Sequence, residues 1–161
     1  MRKNVLITGA AKRIGAVCAR RLHREGCHII VHYKSSERDA LELCSELNRL
    51  RPDSASLLQA DLLDTGHLEG VADAAQKITG GIDVLINNAS AFYPTPFGKV
   101  TEAQWDDLFG SNLKAPFFLA QALRESLKAR KGCIVNIVDI HAERGLPGFP
   151  AYSIAKPVSS R

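Results

Sequence analysis

The sequence has no apolar run approaching the roughly 20 residues that a membrane-spanning helix needs, and no membrane partner is expected. A first strand starting near Asn4 leaves no room for the apolar region of a signal peptide, so a cytoplasmic location is expected. The four cysteines, Cys18, Cys27, Cys44 and Cys133, form no CxxC pair and show no metal-ligand spacing. They read as small packed residues of a reduced protein, and no metal centre is expected. Aromatic residues make up only 6% of the chain, and no basic run is interleaved with them, which argues against a nucleic-acid partner. Repeats, low-complexity segments and internal linkers are missing too, which leaves a single domain over residues 1–161.

What is present suits a globular α/β protein. A chain of 161 residues can bury a sizeable core, and 45% apolar with 24% charged content is ordinary. The net charge of +4 is unevenly placed: residues 1–51 hold 11 Lys/Arg against 5 Asp/Glu, whereas residues 52–161 hold 10 against 12. A basic pocket for a phosphorylated cofactor accounts for that asymmetry. Apolar runs at 5–7, 28–33, 56–60, 84–86 and 133–138 alternate with helical patterns at 14–25, 37–50 and 68–78. A further long helical region runs to about Arg130. Gly26 closes the first helix and Gly80-Gly81 the third. Ser36 is placed to cap the second, with Leu41, Leu43, Leu47 and Leu50 on its apolar face and Pro52 as its stop. Thr101 and Gln104 have capping-box spacing, and Pro116 is expected to kink the long region unless a helix begins there. The βαβαβ rhythm predicts a doubly wound parallel sheet of the Rossmann type, in three α/β/α layers.

The stretch Thr8-Gly9-Ala10-Ala11-Lys12-Arg13-Ile14-Gly15 joins the first strand to the first helix. A glycine-bearing turn there offers backbone N–H groups and a helix N-terminus to an anion, usually a pyrophosphate. At the end of the second strand an Asp or Glu usually accepts from the adenosine ribose. Here stand His32, Tyr33, Lys34 and Ser35, with Arg38 nearby, Arg13 in the turn and no carboxylate before Glu37. Cationic and hydroxyl groups suit a 2′-phosphate, so NADP(H) is expected; the alternative is an ordinary solvated basic loop. Asp61, ending the third strand, is placed to accept the adenine amino group or to cap a loop. Asn87-Asn88-Ala89-Ser90 ends the fourth strand, its small residues letting a cofactor lie close and its amides tying adjacent loops. Tyr152 and Lys156 share one helical face, where the ammonium is expected to lower the tyrosine pKa and make it a workable acid. Asn112 and Asp139 are expected to converge on that pair.

The ordered set TGAAKRIG, Asp61-Leu62, NNAS, Asn112, Val138-Asp139 and YSIAK resembles the short-chain dehydrogenase/reductase family from Val5 to Lys156. Within that family the chain is similar to the pteridine reductases, including bacterial dihydromonapterin reductase-like proteins. Arg13 replaces the middle glycine of the usual turn, and Asp139 stands where a catalytic serine is usual. Asn88-Ala89-Ser90-Ala91-Phe92-Tyr93-Pro94 resembles the pteridine reductases' NNASxFYP segment, and His32-Tyr33-x-Ser35 their NADPH loop.

The resemblance implies an NADPH-dependent reductase of pterin or dihydropterin substrates. The alternatives are a reductase of another carbonyl or imine, or an inactive dinucleotide-binding fragment. By position it implies cofactor contacts from Gly9, Arg13, Ile14, Gly15, His32, Tyr33, Lys34, Ser35, Asp61, Leu62, Asn88, Ala89, Ser90, Tyr152 and Lys156. Tyr152 is implied as proton donor, and Lys156 as the group that binds the nicotinamide ribose and tunes Tyr152. Asp139 orients Tyr152 and assists proton delivery, and Asn112 supports a water relay near Lys156. Phe92 stacks on one face of the pterin, opposite the nicotinamide, while Arg13 and Ser90 touch both cofactor and substrate. For every role except the Tyr152–Lys156 pair, a purely structural job is the alternative; Phe92, for instance, could be core.

Family members usually continue well past this pair, so the chain is expected to be truncated relative to them. It then lacks the last two strands of the family order 3-2-1-4-5-6-7 and the loop that closes the substrate pocket. Ile134, Val135 and Ile137 are then expected on an open apolar edge. Pro157 is expected to disfavour a continuing helix by roughly 3 kcal/mol. A homo-oligomer, a tetramer, is implied for the full-length family form and left open for this chain.

Overall fold

Strands β1 (Asn4–Ile7), β2 (His28–Tyr33), β3 (Ala55–Gln59), β4 (Val84–Asn87) and β5 (Cys133–Asn136) form from the five apolar runs, within two residues of the expected bounds. They pair in parallel in the order β3-β2-β1-β4-β5. The computed structural model describes residues 2–158, and of Ala142, Pro157 and Val158 the backbone alone. Side chains alternate across the sheet, so Val5, Ile7, Ile29 and Val31 join one apolar layer while Leu6, Ile30 and Leu85 join the other. Because both faces are buried, these strands read as unbroken apolar runs rather than as alternating ones.

Helices α1 (Arg13–Arg24) and α2 (Glu37–Leu50) cover the first face with Ala16, Ala19, Ala40, Leu43 and Leu47. Helices α3 (Leu68–Thr79), α5 (Ala115–Ala122) and α6 (Arg124–Ala129) cover the second with Ala72, Ala75, Leu119 and Leu127. Helix α4 (Glu102–Phe109) packs its Leu108 against Ala151 and Tyr152 of α7 (Pro150–Val158). Gly26, at φ +90°, closes α1 as expected, with the N–H of Cys27 reaching the Leu22 carbonyl and that of Gly26 the His23 carbonyl. The capping box forms too, Thr101 and Gln104 each taking the other's backbone N–H.

Several local expectations are corrected. On α2 the buried residues are Ala40, Leu43, Cys44 and Leu47, an i, i+3, i+4, i+7 stripe, whereas Leu41 and Leu50 are 47% and 70% exposed. Ser36 sits at the N-cap position of α2 without a side-chain cap bond. Its backbone, at φ −88° and ψ 54°, is off the extended conformation that aims a cap oxygen into the first turn. At Pro116 the expected alternative holds: helix α5 begins at Ala115 and carries Pro116 in its first turn. A π-helical turn, Gly110–Lys114, precedes it, with the Ala115 N–H bonded back to the Gly110 carbonyl. That wider turn absorbs the missing proline N–H. Ile137 is half-buried against the first apolar layer, and Val138 is the exposed residue instead. Helix α7 includes Pro157 and is described to Val158. The chain's ending, Ser159-Ser160-Arg161, lies outside the described residues.

Candidate functional site

The β1–α1 turn is held by contacts from three directions. Gly9 adopts φ +61°, a left-handed conformation that glycine enters without strain. Gly15 has no room for a side chain: a Cβ would lie 2.5 Å from the Gly9 carbonyl oxygen and 2.7 Å from Asn88 Nδ2. Asn88 Nδ2 donates to the carbonyls of Thr8 (2.9 Å) and Gly9 (3.0 Å), and Thr8 Oγ1 accepts from the N–H groups of Asn88 and Ala89. The amides thus tie adjacent loops, as expected. Lys12, the N-cap of α1, makes no side-chain cap bond. First-turn N–H groups and the positive end of the helix dipole remain for an anion. Arg13 follows at φ +51°, where a non-glycine residue is strained by roughly 1–2 kcal/mol.

A cleft of about 500 Å³ runs from this turn along the strand ends. Gly9, Arg13, Ile14, His32, Lys34, Asp61, Leu62, Asn88, Ala89, Ser90 and Phe92 line it. Its cations are not equivalent. Lys12 pairs with Asp39 at 3.0 Å and Lys34 with Asp61 at 2.9 Å, whereas Arg13 has no ion pair among the described residues. Asp61 Oδ1 also accepts from the Leu63 N–H, and the Lys34 ammonium foremost holds the Asp61 carboxyl below its usual range. Arg38 turns away to Glu42, and Ser35 is exposed.

Two residues of the β2 end are placed otherwise than expected. Tyr33 is 6% exposed and packs in the first apolar layer. His32 is 2% exposed, with Nδ1 accepting from the Gly9 N–H (3.1 Å) and Nε2 facing the Ala60 carbonyl (3.2 Å). An amide N–H only donates and a carbonyl only accepts, so the ring is the neutral Nε2–H tautomer. Burial pushes its pKa down to about 4. His32 is therefore no cation for a 2′-phosphate.

Tyr152, Asp139, Lys156 and Asn112 do not line this cleft but lie behind Phe92 and Ser90; Tyr152 is 4% exposed and its hydroxyl donates to Asp139 Oδ2 (2.9 Å). Asp139 Oδ1 accepts from the His141 N–H (3.0 Å), which foremost holds this carboxyl below its usual range. Burial, then the Asp139 hydrogen bond, pushes the Tyr152 pKa well up. That reverses the expected lowering by Lys156. The Lys156 ammonium lies 5.7 Å from the Tyr152 ring centroid and donates to the Ile137 carbonyl (3.3 Å), and its own pKa is lowered by burial. Asn112, buried in the π turn, donates from Nδ2 to the carbonyls of Ala91 and Leu108, while its Oδ1 accepts from Ser90 Oγ (2.6 Å).

Phe92 is 52% exposed, so it is not core. Its ring stacks on Phe149 (centroids 4.7 Å, planes 9° apart) and meets Tyr152 edge-on (4.8 Å, 75°). Sequence reasoning missed Phe149, although its place three residues before Tyr152 was a readable helical spacing. It also missed Lys12, Leu63, Asp107 and Ser111 on the cleft wall. Asp107 and Ser111 lie one turn apart beside Asn112, and no sequence signal linked them to a turn a hundred residues away.

The short chain dehydrogenase family model matches residues 3–158, and the chain belongs to that family. It is 36% identical to pteridine reductase 1 of Leishmania tarentolae, over 94% of this chain and 65% of that protein. It is 31% identical to the 3-oxoacyl-(acyl-carrier-protein) reductase of Staphylococcus aureus, over 97% of this chain and 63% of that one. With gluconate 5-dehydrogenase of Gluconobacter oxydans the identity is 33%, over 94% and 59%. The chain thus spans less than two thirds of the length of each of these relatives.

Proposed function

We propose that the chain carries the cofactor site and the proton-delivery group of an NADPH-dependent reductase of pterin or dihydropterin substrates. The observation that carries this reading is the half-exposed Phe92 ring set edge-on against Tyr152, whose hydroxyl is held by Asp139. A planar fused ring stacks on such a surface, and Phe149 already covers one face of Phe92. The likeness to a pteridine reductase supports the same substrate class.

The residues present fit a dinucleotide. The glycine cradle and the uncapped α1 N-terminus suit a pyrophosphate, Arg13 is the cation left to meet a 2′-phosphate, and β2 ends without a carboxylate. A bound reduced nicotinamide would supply the hydride. Tyr152 holds the proton to be delivered, and the ionised Asp139 fixes the direction of its hydroxyl. Lys156 sits beneath the same ring to bind the ribose, and Asn112 supports the water relay through Ser90.

Oxidation of NADPH by this chain against a panel of pterins and a panel of carbonyl substrates tests the reading. Turnover or binding on the pterin panel is the expected result. Turnover of carbonyls with none of pterins would make it a carbonyl reductase and remove Phe92 from a stacking role. No turnover and no pterin binding by equilibrium dialysis would leave a dinucleotide-binding fragment.

A further inference from the structure

His32 joins three elements that sequence keeps apart. Its ring takes the Gly9 N–H from the β1–α1 turn and gives its own N–H to the Ala60 carbonyl beyond β3. Its backbone carbonyl accepts from the Ala10 N–H (2.8 Å), and the neighbouring Tyr33 carbonyl accepts from the Ala60 N–H (3.1 Å). On the opposite side, the Gly9 carbonyl accepts from Asn88 Nδ2. The Gly9 residue is thus gripped at its N–H and at its C=O, in the conformation that lets Gly15 approach it without a side chain. The charged group acting on this ring is Asp61 past the end of β3, and Lys12, Arg13 and Lys34 line the same cleft.

We propose that His32 is a positioning residue: its two ring nitrogens lock the Gly9 turn, and it thereby sets affinity for the pyrophosphate of a dinucleotide without reading the 2′-phosphate. This rests on the dinucleotide part of the proposed function and not on the pterin. The Gly9 N–H is spent on His32, so the anion is received by the α1 N-terminus, whose position depends on the locked turn. A group acting this way affects NADPH and NADH alike, because both carry the same pyrophosphate.

Fluorescence titration of both dinucleotides on the His32→Asn, His32→Gln and His32→Leu forms of this chain tests it, with melting curves to report folding. An Asn oxygen can replace Nδ1 against Gly9, whereas Gln reaches toward Ala60 and leaves the Gly9 N–H unmet. We expect His32→Gln and His32→Leu to weaken NADPH and NADH by the same factor, about tenfold, and His32→Asn to stay within about threefold. Arg13→Ala, as comparator, weakens NADPH selectively. Loss confined to NADPH in the His32 variants would make His32 a phosphate reader and overturn the proposal. Equal affinity of the Gln and Asn forms would overturn it too. Should the variants not fold, 15N spectra of the wild-type ring decide: an unprotonated Nδ1 supports the proposal, and a protonated one overturns it. A wild type that binds neither dinucleotide overturns the cofactor reading itself, a different outcome from a binder whose variants are selective.

Discussion

Burial and the Asp139 carboxylate keep the proton on Tyr152, while the His141 N–H and the Tyr152 hydroxyl keep Asp139 ionised. The pair therefore titrates as a unit. If the chain reduces pterins as proposed, Asp139→Ser should leave NADPH affinity almost unchanged and lower pterin turnover by about 100- to 10,000-fold, the range for losing a proton-transfer group. Its pH profile should shift as well, and single-turnover measurements beside Tyr152→Phe separate chemistry from binding. Wild-type turnover and pH profile in Asp139→Ser would reduce Asp139 to a cap for the Ile140–Ala142 turn. His32 makes a second residue-scale prediction. Its folded pKa, about 4, lies below the ordinary 6.5. As pH falls, the unfolded chain takes up this proton first. Stability is full above about 6.5 and declines toward pH 4 by up to about 1.4 kcal/mol per pH unit. Urea melts at about pH 7 and about pH 5 should show wild type losing more stability than His32→Asn. Equal losses would mean that the ring is not held neutral.

Among elements, the π turn and β5 matter most. The π turn, Gly110–Lys114, carries Asn112 inward so that it grips Ser90 and Ala91, and Gly110 leaves space that the Leu63 side chain takes. All four residues of β5 are exposed, and among the described residues no strand pairs on its outer side. Ile134 and Val135, 45% and 40% exposed, thus place apolar side chains along that outer edge. Such an edge recruits another strand. Ile134→Lys or Val135→Lys should reduce concentration-dependent self-association, read by sedimentation velocity, without changing NADPH affinity. If the weight-average sedimentation coefficient of the variants tracks that of wild type at every concentration, the edge is not the contact.

For the molecule as a whole, the cleft lies where the strand order reverses between β1 and β4, and both apolar layers support it. A dinucleotide bound there would contact groups at the ends of β1, β2, β3 and β4 together and would bind the folded state alone. At about 100 times its Kd, NADPH should stabilise the fold by about 2.7 kcal/mol. For a chain of this size that raises the melting temperature by about 5–10 °C, and NADH at the same concentration should raise it less. Thermal scans with each dinucleotide measure this, and the absence of any shift with NADPH would sink the cofactor reading.

The sequence by itself determined the strands, the ends of α2, the glycine closure of α1 and the Thr101–Gln104 box, because each rests on neighbours within a turn or two of chain. It also determined the parallel sheet, since strands apolar on both faces need helices on both sides. The cleft membership of Gly9, Arg13, Asp61, Asn88 and Phe92 was legible through family likeness. Tertiary structure alone decided what these groups do to one another. His32 stands 23 residues from Gly9 and 28 from Ala60, and only their meeting made its ring neutral and structural. Asn88 reaches back 80 residues to Thr8. The direction of the Tyr152 pKa followed from burial and from Asp139, not from the Lys156 spacing that sequence offered. Hydrogen bonding and desolvation depend on which groups share a volume, and a linear spacing carries that information only within one helix or one turn.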